Sequence, residues 1–161
     1  MISFRFSRFL LATLAVLIMA ASASATDRHV GYYYPEPAQI ETYNARSQVF
    51  PETNRSERIG FVTGIVQSLQ AKPHVPIYSV FVKGDYAQKL IIASNVAGRL
   101  DTVYRVRALL AQMTSVTRTL PILQHMGVDD IFTFLDFLKM LGFEQITITD
   151  GDIFAHQILI K

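Results

Sequence analysis

Cysteine is absent from the 161-residue chain. That removes disulfide staples, thiolate metal ligands, a cysteine nucleophile and a lipid-modified cysteine anchor together. Clustered histidine is missing as well: His29, His74, His125 and His156 stand apart, and no two share a metal-ligand spacing. Asp150-Gly151-Asp152 offers two carboxylates, short of the ordered oxygens and closing Glu of a calcium loop. No serine sits in a Gly-x-Ser-x-Gly elbow. No apolar run reaches the roughly 20 residues that a bilayer-spanning helix requires. What these absences leave is a chain with no catalytic constellation and no expected metal or cofactor.

What is present begins with an address. Arg5 and Arg8 form a short positive region, residues 9–21 are continuously apolar, and Ala23-Ser24-Ala25 supplies the small residues that signal peptidase requires. The reading is a cleavable signal peptide over residues 1–25, cut between Ala25 and Thr26, and a periplasmic or secreted product. Whole-chain basic residues number 15 against 13 acidic. Loss of Arg5 and Arg8 leaves 13 of each, a formally neutral domain of 136 residues. A neutral domain lacks the electrostatic footprint for nucleic acid or an anionic membrane surface, so neither is expected as a partner. Its size suits one apolar core without staples.

Residues 26–58 read as an extended arm. Tyr32-Tyr33-Tyr34-Pro35-Glu36-Pro37 forces extended backbone, and a short helical turn is expected at Ile40 to Arg46. Residues 59–161 read as one α+β domain: a mostly antiparallel sheet from two β-hairpins, with about three helices packed on it. A helix from Ile59 to Gln70 follows caps at Asn54 or Ser56 and stops before Pro73. Residues 77–83 and 88–94 form the first hairpin around Gly84-Asp85. Residues 145–149 and 153–160 form the second around Asp150-Gly151, a strong turn signal. The two hairpins look alike, GDYAQKLIIA beside GDIFAHQILI, which suggests a duplication.

Between the hairpins, Asp101 or Thr102 caps a helix running to about Thr119. Its apolar stripe is Val103, Val106, Leu110, Met113, Val116 and Leu120. A second helix is expected from Asp129 and Asp130 to Leu141, ending in a Schellman turn at Gly142 with Phe143 packing back. Thr133, Asp136 and Lys139 make its narrow polar strip. So apolar a helix, from Phe134 to Leu141, either lies in the core or docks on a protein partner. Candidate ligand residues are Arg99, Tyr104, Arg105 and Arg107 around the first helix start, as an anion site, with Lys83 and Asp85 on a loop tip. His156, on the inward face of the last strand, reads as hydrogen-bonded core.

The runs YYYPEP, RIGFVTGI, FVKGDYAQKLII, RLDTVYRVRALLAQMT and FTFLDFLKMLGFEQITITDGDIFAHQI resemble a family of short exported alphaproteobacterial proteins. Its members carry the label molybdopterin-guanine dinucleotide biosynthesis protein A. The resemblance covers nearly the whole chain after residue 25 and implies nucleotidyl transfer in cofactor synthesis. The Gly-rich loop L-A-G-G-x-[ST]-x-R-M-G that such transfer uses to cradle phosphates has no counterpart, Gly60 and Gly64 being the nearest glycines. No catalytic residue carries over. Two further expectations stand beside that enzyme: a non-catalytic binding or interaction module, and a small-ligand carrier using residues 99–107. N-terminal sequencing of the periplasmic fraction should return Thr26 as the first residue; an intact chain starting at Met1 in the cytosol contradicts the export reading.

Overall fold

The structure, a computed structural model, describes residues 34–161; the expected signal segment, its cleavage site and the first part of the arm lie outside them. Five strands and four helices make up this part of the chain. In order they are β1 (Gln39–Tyr43), α1 (Arg55–Gln70), β2 (Tyr78–Lys83), β3 (Lys89–Ser94), α2 (Val103–Arg118), α3 (Pro121–His125), α4 (Phe134–Met140), β4 (Gln145–Thr149) and β5 (Ala155–Ile160).

The fold is α+β, but the sheet is mixed rather than mostly antiparallel. Strand order is β1-β5-β4-β3-β2. β2 pairs antiparallel with β3 and β4 with β5, whereas β3 pairs parallel with β4 and β1 parallel with β5. The reason lies in the connection. Parallel neighbours need a crossover of a dozen or more residues, and the three helices between β3 and β4 supply one. Residues 39–43 correct a second expectation: the predicted helical turn is an extended edge strand.

Strand register puts Val80, Leu90, Ile92, Ile146, Ile148, Ile158 and Ile160 on one face. Val62 of α1, Val106 and Leu109 of α2, and Phe134, Leu135 and Leu138 of α4 close over them to form the main core. Each fully buried Leu or Ile there contributes about 1.5–3 kcal/mol. Leu123, Phe137 and Met140 build a satellite core beneath α3. Helix α4 therefore places its apolar side chains within the fold.

Local chemistry sets the helix ends. Asn54 accepts the amides of Ser56 and Glu57 at 2.8 and 3.1 Å to open α1. Thr102 opens α2, and Pro121 occupies the first turn of α3, where its missing N–H costs nothing. Helix α4 starts four residues later than Asp130. Asp129 and Asp130 lie in turns held by Arg118, which donates to the carbonyls of Asp130 and Phe132. The true start is a capping box, with Thr133 accepting from the Asp136 amide and Asp136 accepting from the Thr133 amide. The end is a Schellman turn: Phe143 N–H donates to Leu138 O at 2.9 Å and Gly142 N–H to Lys139 O at 2.8 Å. Gly142 sits at φ +77°, and a Cβ there would lie 2.5 Å from Nη1 of the buried Arg58. That guanidinium is held by the carbonyls of Tyr86 and Leu141.

The second hairpin loop is longer than the Asp-Gly pair suggests. β5 begins at Ala155, and residues 150–154 wrap around the Asp150 carboxylate, which accepts the amides of Asp152, Ile153 and Phe154 at 2.9–3.1 Å. Ile153, expected in the strand, is exposed on that loop.

Asp136 does more than cap. Its fully buried carboxylate accepts Tyr43 Oη at 2.9 Å, the Arg46 amide at 2.7 Å, the Thr133 amide at 2.8 Å and Thr133 Oγ1 at 2.9 Å. Its carbonyl accepts Ser47 Oγ at 2.6 Å. Two residues of the polar strip along α4, Thr133 and Asp136, thus anchor the end of β1 and the segment after it. Burial pushes this carboxyl up, but the Arg46 and Thr133 amides, then the Tyr43 and Thr133 hydroxyls, outweigh it and hold it below the ordinary aspartate value. The Tyr43 phenol is raised, chiefly by burial, with the Thr133 hydroxyl opposing and the Asp136 carboxylate adding to the rise.

A depressed carboxyl contributes stability in full above its unfolded pKa, roughly 3.9, and loses it as pH falls through the lower folded value. Asp136→Asn should cost about 2–4 kcal/mol at neutral pH in denaturant unfolding. Its deficit relative to the unaltered chain should shrink below about pH 4; a deficit constant down to pH 2 contradicts the anchor.

Candidate functional site

The six side chains singled out from the sequence do not form one cluster. Arg105 and Arg107 are two apart on α2, and residues at that spacing point to different sides of a helix. Arg105 pairs with Asp101 at 2.7 Å. Arg107 turns toward the sheet edge and pairs with Glu41 at 2.8 Å. Tyr104 is 87% exposed. Lys83 and Asp85 lie at the far end of the β2–β3 hairpin from the strand ends Tyr78 and Ser94 that neighbour Arg99. Only Arg99 and Arg105 meet in one recess, about 330 Å³, with Tyr78, Ser94, Leu109 and Gln112 among its walls.

A larger space lies beside it. Between α1 and α2 runs an apolar cleft of about 600 Å³, walled by Phe61, Ile65 and Leu69 from α1 and by Leu109, Met113 and Val116 from α2. Tyr78 and two α4 rings, Phe134 and Phe137, complete it, and Ser68, Gln112 and Thr117 bring the polar atoms. The volume falls within the range of small-molecule sites. Several of its apolar walls remain half-buried, and Val116 is 62% exposed. The stripe read along α2 accordingly splits. At the turn where it ran through Val116, the buried residue is Thr117, its hydroxyl donating to Met113 O at 2.8 Å.

Gly60 and Gly64 explain why the cleft stays open. Both sit in the interior of α1, where glycine costs about 1 kcal/mol relative to alanine. Glycines four apart commonly let a second helix approach, yet a Cβ on either would meet nothing within 4 Å. They keep side chains out of the cleft instead. Being helical, they form no phosphate-cradling loop.

A third recess, about 300 Å³, lies under β1 and is lined by Glu41, Tyr43, Arg107, Thr114 and His156 among others. His156 is 1% exposed. Its Nε2 is 3.6 Å from Glu41, too long for a hydrogen bond, and its Nδ1 is buried with no partner. His156 is a core residue as the sequence suggests, but its expected hydrogen bond is not formed, and such an orphan costs about 1–3 kcal/mol. A carboxylate beside an imidazole resembles half of a hydrolytic triad, but the Thr114, Thr133 and Tyr43 hydroxyls that line the recess are engaged elsewhere. Thr114 Oγ1 is committed to Leu110 O and the Phe134 amide, and Thr133 Oγ1 to Asp136. Glu41 falls within the stretch expected to be helical, and a lone Glu on an edge strand gives no local signal.

Among the described residues, no group of three His, Asp or Glu is arranged to hold a metal ion, and no helix is long and apolar enough to cross a membrane. No protein-family model, no curated protein and no solved structure matches the chain.

Proposed function

We propose that the chain is an exported, non-catalytic binding module that takes a small apolar ligand into the α1–α2 cleft. One observation carries this reading: two helix-interior glycines face an open, apolar space of about 600 Å³ that no side chain of the fold fills. Two such glycines sacrifice about 2 kcal/mol of helix stability, a cost that a ligand site accounts for and packing does not. The binding role expected of residues 134–141 moves to this cleft, whose floor takes Phe134 and Phe137 from that helix. The export signal read in residues 1–25 supplies the periplasmic address. Nucleotidyl transfer, implied by the resemblance, finds no phosphate loop to support it.

The test uses N-phenyl-1-naphthylamine, an uncharged fluorescent probe. Titration of the purified protein should give saturable enhancement with one site. Gly64→Phe should abolish it while the unfolding midpoint holds. Gly64→Ala should stabilise the protein by about 1 kcal/mol and leave binding nearly intact. Non-saturable fluorescence, or probe binding untouched by Gly64→Phe, contradicts the cleft as the site.

A further inference from the structure

Resting on that reading of the cleft, we infer that its ligand is an amphiphile with a small anionic head, a carboxylate or phosphate on an apolar chain. The cleft and the basic recess share three walls, Tyr78, Leu109 and Gln112. An apolar body in the first would thus carry its head directly to Arg99 and Arg105. On α2 the shared walls lie between Arg105 and Val116, about 17 Å apart along the axis at 1.5 Å per residue. One end of this path is cationic and the rest is apolar.

The charges at that end are unbalanced in a particular way. Arg99 has no hydrogen bond or ion pair among the described residues, although it shares the recess with a second arginine. The first turn of α2 holds no acidic residue. It holds Arg105 instead, a cation near the positive end of the helix dipole, where like charge is disfavoured by about 0.3–1 kcal/mol. Asp101 relieves this through one contact with Arg105 Nη1 and leaves Arg99 uncompensated. Asp101 is not the helix cap, since Thr102 does that work, so its carboxylate serves here as a counter-charge. An anionic head would supply the acceptor that Arg99 lacks. Exposed arginines are ordinary on protein surfaces; this one adjoins the apolar cleft at a shared wall, and an anion alone would have no use for that cleft.

Competition against N-phenyl-1-naphthylamine separates the elements. The probes are dodecanoate, dodecyl phosphate, dodecanol and inorganic phosphate, all below micellar concentration and at low ionic strength. Both anionic amphiphiles should bind about tenfold tighter than dodecanol, the increment of one charge-assisted contact. Inorganic phosphate should compete negligibly. Arg99→Gln, a change at an exposed residue without partners, should bring dodecanoate down to dodecanol. Asp101→Asn should tighten the anionic ligands and leave dodecanol unchanged. Raising the salt should narrow the gap.

Equal binding of dodecanol and dodecanoate overturns the head-group inference and leaves the apolar cleft standing. Inorganic phosphate alone occupying the recess, with no gain from the chain, overturns the amphiphile in favour of a free anion. Failure of all four with failure of the naphthylamine itself removes the cleft reading and this inference with it. Capture of an apolar peptide that displaces the probe, with no response to Arg99→Gln, makes the cleft a protein-docking groove and equally overturns the proposal.

Discussion

A carboxylate taken wholly out of water, with no ion pair among the described residues to balance it, survives only if hydrogen bonds replace its hydration. Asp136 meets that condition with four donors: two backbone amides and two hydroxyls. The donors come from two places distant in sequence, the start of α4 and the end of β1 with the segment just after it. The same side chain therefore fixes where α4 begins and where the chain leaves the sheet edge. Both consequences reach the candidate sites. α4 presents Phe134 and Phe137 to the apolar cleft. β1, held at its far end, presents Glu41 to Arg107 and His156.

The three recesses differ in what they ask of the fold. The pocket under β1 mixes apolar walls with Glu41, Arg107 and His156, and leaves one imidazole nitrogen unsatisfied. The α1–α2 cleft is apolar and arises because α1 leans on β2 rather than on α2. Its openness depends on residues that stabilise nothing. The basic recess borrows its walls from that cleft. A fold optimised for stability alone would replace Gly60 and Gly64 with better helix formers and pair Arg99; this one does neither. Departures from local consistency of this kind concentrate at functional sites.

Features written in short stretches of sequence were legible. Asn54, Thr102, Pro121 and the Gly142-Phe143 stop mark helix ends through contacts spanning a few residues, and the alternating runs around residues 77–94 and 145–160 give antiparallel neighbours. The parallel joins were illegible because nothing local encodes them: β3 meets β4 across three helices, and β1 meets β5 across most of the chain. Thr133 and Asp136 stand in the sequence as two members of a narrow polar strip rather than as a capping box, since the acidic pair at 129–130 offers a competing helix start. Separation of Arg105 from Arg107 was available from helical geometry alone. Glu41 was not, because its role exists only once β1 joins the sheet.

The claim that Asp136 pins the edge of the sheet is tested most directly by native-state hydrogen exchange. The Arg46 amide bonds to the Asp136 carboxylate at 2.7 Å, and the Ala45 amide to Lys161 O at 2.8 Å. In Asp136→Asn, both should lose protection by about tenfold or more while amides of β3 and β4 keep theirs, as a local opening requires. If Ala45 stays as protected as before, or every strand loosens to the same degree, Asp136 is not what holds β1 in place.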